Sequence, residues 1–172
     1  MVQHDKFTEN LMELEKLLVR QFRALQELIE KTRVERNCLI KGDDSLMRIV
    51  EDKEALLDRL NLMEDARREL VQNLTLVKDV HSEKTSISQL LPFLDEDVAL
   101  RLSRMADGIS TLAYQARELN YANQALSNAK LDWLRAAQSF LIGVTQPEPG
   151  YRPQGVVPSS NGPTCLGVEF RA

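Results

Sequence analysis

The chain has 172 residues, enough for one domain with a buried core, and its 43% apolar, 5% aromatic and 28% charged residues suit a soluble helical bundle better than an aromatic-lined enzyme pocket. Net charge is −4, with acidic and basic residues interleaved, which marks solvated faces and excludes the basic stripe of a nucleic-acid binder. No apolar run approaches the roughly 18 residues of a membrane span, which excludes stable membrane insertion through a helix.

The opening Met1-Val2-Gln3-His4-Asp5-Lys6 has no apolar signal core behind it, so the expected location is the cytoplasm. A first helix is expected over about 5–41. Its seam runs Phe7, Leu11, Leu14, Leu18, Gln21, Leu25, Leu28, Thr32, Glu35, Leu39, in alternating steps of three and four. Gly42 then sits where helices commonly end in a left-handed residue, and Asp43, Asp44 and Ser45 each suit the N-cap of a second helix.

That second helix is expected over about 44–80, with the seam Leu46, Ile49, Lys53, Leu56, Leu60, Met63, Arg67, Leu70, Leu74, Val77. Each of these two helices should be roughly 55 Å long at 1.5 Å per residue. Folding the chain at Asp44 mirrors the two seams. Leu39 meets Ile49, Leu28 meets Leu60 and Leu14 meets Leu74, while the polar interruptions pair Glu35 with Lys53 and Gln21 with Arg67. Either Lys53 and Arg67 extend their stems out of the seam, or they pair with Glu35 and Gln21 and set the register. Leu17, Phe22, Ile29, Val50, Leu57 and Val71 widen the apolar face sideways, which calls for a third helix or a partner chain.

Residues 81–94 break the pattern with Ser82, Thr85, Ser86, Ser88 and Pro92, although Ile87, Leu90, Leu91 and Phe93 can pack as a short connector across the hairpin end. Asp95, Glu96 and Asp97 supply a cap and negative charge for a third helix over about 96–142. Its seam is Leu102, Met105, Ile109, Leu112, Ala116, Leu119, Asn123, Leu126, Lys130, Trp133, Ala137, Phe140. Ala116, Asn123 and Lys130 make every second core position small or polar there, so this stretch reads as the least committed part of the bundle. Trp133 and Phe140 hold core-type positions, yet a third helix longer than its neighbours would leave them with little cover, as at a binding site.

From Thr145 onward five prolines and four glycines replace the periodicity, so 144–172 reads as a flexible tail. The expected architecture is therefore all-α: an elongated antiparallel three-helix bundle with coiled-coil-like packing over 1–143, followed by that tail.

Catalytic signatures are missing: there is no GxSxG, no Gly-rich phosphate loop and no HExxH. Asp43-Asp44 and Asp95-Glu96-Asp97 are explained by helix caps. Cys38 and Cys165 lie far apart and read as reduced thiols, and His4 and His81 stand alone, so neither a zinc site nor any other metal or cofactor is expected.

The hairpin stretch Leu39-Ile40-Lys41-Gly42-Asp43-Asp44, followed by Leu46, Ile49, Lys53, Leu56-Leu57, Leu60, Glu64 and Arg67, resembles the FlgN family of flagellar export chaperones. Asn120, Asn123-Gln124 and Leu126 are similar to that family's Asn-rich motif in the third long helix. Tyr151-Arg152-Pro153-Gln154-Gly155 and the closing Val168-Glu169-Phe170-Arg171-Ala172 resemble its tail. The resemblance implies a cytosolic chaperone with no catalytic site. It implies binding of the flagellar hook-associated proteins FlgK and FlgL, protection from early assembly, and delivery to the type III export apparatus through the carboxy-terminal part of the chaperone. On that reading a client helix completes the seam that Ala116, Asn123 and Lys130 leave weak, and the expected partner-binding residues are Leu119, Asn123, Leu126, Lys130, Trp133 and Phe140. The alternative is a structural coiled-coil protein whose wide seam is satisfied by a second copy of itself in a tight dimer; a monomer or weak homodimer is what the chaperone reading expects.

Overall fold

A computed structural model describes residues 2–77 and 86–145. They form three helices, α1 (Val2–Lys41), α2 (Leu46–Val77) and α3 (Glu96–Thr145), with two 3-10 turns, Ile87–Gln89 and Leu91–Phe93, ahead of α3. No strand occurs among the described residues, and the protein is an all-α helical bundle. The chain divides into two compact units, Met1–Leu131 and Asp132–Ala172, with the boundary inside α3. The division expected after residue 143 is a different one, between helix and tail. Residues 146–172 of that tail, and the expected extension of the second helix through 78–80, lie outside the described residues.

Local chemistry sets the helix ends. α1 stops at Gly42, whose φ of +71° is the left-handed conformation that costs a residue with a Cβ. The N–H groups of Gly42 and Asp43 both donate to the Cys38 carbonyl, at 2.8 and 3.1 Å, closing the last turn. Asp43 Oδ1 accepts the Ser45 N–H at 2.8 Å, and this bond holds the Asp43 carboxyl below its ordinary pKa. Of the three capping candidates, Ser45 takes the N-cap position, because its carbonyl accepts the first helical bond from Ile49 N–H at 3.1 Å. Asp95 does the same for α3, accepting from Ala99 N–H at 2.9 Å, and Glu96 and Asp97 occupy the first turn, where the helix dipole favours them.

The mirrored register is present in the first unit. Lys53 Nζ donates to Glu35 Oε2 at 2.5 Å, with only 8% and 13% of the two side chains exposed, so Lys53 pairs within the seam and does not reach out of it. The second polar pairing differs from expectation: Gln21 reaches Arg67 through Glu64. Gln21 Nε2 donates to Glu64 Oε2 at 3.5 Å, while Arg67 grips the same carboxylate with Nε at 2.8 Å and Nη2 at 2.6 Å. Those bonds, Arg67 first, hold the Glu64 carboxyl below its usual range and raise the Arg67 guanidinium.

Apolar burial fills the layers between these polar rungs. One cluster joins Leu14 and Leu18 of α1 to Val71 and Leu74 of α2, with Leu90 and Leu102 closing it. A second gathers Leu25, Leu28 and Ile29 with Leu56 and Ala116. Each fully buried leucine contributes about 1.5–3 kcal/mol, so these clusters dominate the stability of the hairpin. The connector packs as expected at Ile87 and Leu90, which are buried, but Phe93 is exposed. The backbones of α1 and α2 approach within 8 Å, Cα to Cα, along the hairpin, whereas α3 is joined to them mainly through side chains. Gly108 is an exception: a Cβ there would stand 3.1 Å from the Phe22 ring, so its absence lets that ring lie against α3.

Candidate partner-binding surface

Within the first unit, the polar seam positions of α3 each have a partner in the hairpin. Asn123, 3% exposed, donates its Nδ2 to the Thr32 carbonyl at 2.8 Å and to Glu35 Oε2 at 2.8 Å. Glu35 is thereby shared between Asn123 and Lys53, and Lys53 Nζ also donates to Asn120 Oδ1 at 3.0 Å. Lys130 Nζ donates to the Leu39 carbonyl, an acceptor at the α1 end that Gly42 and Asp43 leave to it by both bonding Cys38. Ala116 is buried against Leu25 and Leu28. The stretch read as least committed is therefore a polar clamp, and its small residue is core.

The clamp is not fully satisfied. Asn123 Oδ1 and Gln21 Oε1 are buried acceptors without a hydrogen-bond partner. Gln21 borders a cleft of about 380 Å³ between α2 and α3, floored by Leu25 and Leu28 and walled by Leu57, Leu60 and Ala113. Leu119 and Leu126 are half-buried on the same stretch of α3.

The second unit presents the reverse arrangement. Trp133 is 68% exposed and Phe140 70%, and Leu134 and Leu141 are exposed as well. At 100° per residue, Trp133, Leu134, Ala137, Phe140 and Leu141 share one side of the helix, while Asp132, Arg135 and Ser139 lie on the other. Asp132 and Arg135 pair with each other at 3.2 Å, which keeps those charges on the polar side. Together these side chains form a contiguous exposed apolar patch, a feature uncommon on the surface of a monomer.

The six expected residues thus fall into three groups. Asn123 and Lys130 are bonded to α1, Leu119 and Leu126 are half-buried, and Trp133 and Phe140 are exposed. Leu134 and Leu141 were missed as surface residues, although their spacing one residue after Trp133 and Phe140 carries the signal. Asn120 enters the sequence reading only through the Asn-rich motif, because its tie to Lys53 crosses helices and leaves no trace in local spacing.

No group of three or more His, Cys, Asp or Glu side chains among the described residues could hold a metal ion. No helix among them is long and apolar enough to cross a membrane. Cys38 is a buried free thiol beside Ser45 Oγ, while Cys165 lies outside the described residues. No curated protein and no solved structure matches the chain. The family model described as FlgN protein matches residues 1–159, and the chain belongs to the FlgN family, chaperones of flagellar export and not enzymes.

Proposed function

We propose that this protein is a cytoplasmic chaperone for hook–filament junction proteins of the FlgK and FlgL type, which keeps them from assembling early and delivers them to the flagellar type III export apparatus. The observation that carries the reading is the exposed apolar face of Trp133, Leu134, Phe140 and Leu141 at the carboxy-terminal end of α3. Burying such a face under a client's amphipathic helix gains about 25 cal/mol per Å² of apolar surface, and Trp is among the residues that most often dominate an interface. Trp133 and Phe140 are the direct anchors. Leu119, Asn123, Leu126 and Lys130 enter the contact by exchange: a client helix that supplies donors to the free Asn123 and Gln21 oxygens competes with the hairpin for that part of α3.

Pull-down with purified FlgK-type client tests this. Trp133→Ala and Leu126→Asp should each abolish capture while circular dichroism shows most helicity retained. If both variants hold the client as well as the unaltered protein does, this placement of the surface is wrong. The same apolar face also suits a second copy of the chain. Light scattering after size exclusion separates the readings: a tight dimer that captures no client favours self-association, and a monomer or weak dimer that captures it favours the chaperone.

A further inference from the structure

The first unit carries a second surface, on the side where α1 faces the start of α3. A cleft of about 690 Å³ lies there over Val19, Phe22, Leu100 and Met105, and a neighbouring hollow extends it along α1 to Met12. Its lining and rim hold five cations, Lys16, Arg20, Arg23, Arg101 and Arg104, against two carboxylates, Glu15 and Asp97. This is a local excess of positive charge in a chain of net charge −4. Among the described residues only Arg101 of these five is neutralised, by Glu15 at 2.6 Å. Arg23 and Arg104 make no ion pair among the described residues and stand on opposite walls, one on α1 and one on α3.

We propose that this cleft docks an acidic amphipathic helix of a protein partner, its apolar side against Phe22, Leu100 and Met105 and its carboxylates on Arg23 and Arg104. From Met12 to Gln26 the lining residues of α1 span roughly 21 Å, about four helical turns. The apolar floor asks for apolar side chains, which a free phosphate or a nucleic-acid backbone does not supply. The paired cationic walls ask for negative charge on both flanks of the occupant, and such complementarity selects the partner and speeds encounter. The surface lies on residues that the client-binding reading does not use, so a chaperone loaded with client would keep it available for a second partner.

The test uses the full chain and a labelled peptide of about 18 residues. The peptide has Leu at i, i+3, i+4 and i+7 on one face and Glu on both flanks, and a counterpart carries Lys for every Glu. Fluorescence anisotropy should show binding of the Glu peptide, weakened roughly tenfold or more between about 50 mM and about 300 mM salt, and none of the Lys peptide. Arg23→Glu with Arg104→Glu, both exposed and so tolerated by the fold, should reverse that preference, while Trp133→Ala with Phe140→Ala leaves it unchanged. The proposal is overturned if neither peptide binds, if both bind alike, or if the charge reversal leaves Glu-peptide binding intact. It is also overturned if only the Trp133 and Phe140 changes abolish binding, or if the protein binds anionic phospholipid vesicles and not the peptide.

Discussion

Two stretches of α3 obey opposite rules. Up to Lys130, polar side chains sit inside: Asn123 and Lys130 bond α1, and Asn120 reaches Lys53. From Trp133 onward, apolar side chains sit outside, and the heptad series that is buried or half-buried through Lys130 continues into water at Trp133 and Phe140. The lesson is that a seam position states which side of a helix a residue occupies, and the neighbours decide whether that side is core. Polar residues in the seam are here the fixed part, and the aromatic ones are the open part.

The largest expected effect breaks the fixed part. Lys53→Ala leaves the partly buried Glu35 carboxylate with Asn123 alone, and should cost about 3–5 kcal/mol in chemical denaturation. Replacing Glu35 and Lys53 together by Leu should recover most of that loss, because a buried ion pair is often no better than apolar packing. A single-variant cost below about 1 kcal/mol would mean the clamp does not hold the register. Asn123→Ala should cost about 1–3 kcal/mol, since it removes the donor that Glu35 and the Thr32 carbonyl share. Gly42→Ala should cost about 1–2 kcal/mol through its left-handed φ and not through a clash, the nearest atom to the added Cβ being Lys130 Nζ at 3.9 Å.

A smaller effect is confined to acid. Arg67 holds the Glu64 carboxyl below its ordinary value of 4.5, so the fold favours the ionised form. The stability this contributes is complete above the unfolded-state pKa and is lost as pH falls through the lower folded value. Glu64→Gln should therefore flatten the acid side of the stability profile below about pH 5, and leave its neutral-to-alkaline side unchanged in slope.

The hairpin was legible because alternating three-and-four spacing, a Gly-Asp turn and a matched Glu35–Lys53 pair all point to one register. The intervention of Glu64 between Gln21 and Arg67 was not legible, since it depends on side-chain reach within a layer and not on the register of the layer. The role of Lys130 was hidden for a similar reason. It answers a carbonyl at Leu39 that becomes available only because Gly42 and Asp43 both bond Cys38. For Trp133 and Phe140, periodicity supplied the apolar side of the helix but nothing about what covers it.

The central claim is the proposed division of α3 into a stretch up to Lys130 that holds the hairpin and joins the client contact only by exchange, and an exposed end that supplies the direct anchors; the double variant Trp133→Ala with Phe140→Ala tests it most directly. Calorimetric titration with purified FlgK-type client, run beside a thermal melt, should show affinity falling by at least about tenfold with stability changed by less than about 0.5 kcal/mol. Client affinity equal to that of the unaltered protein, or a loss of affinity matched by loss of the fold, would contradict the division.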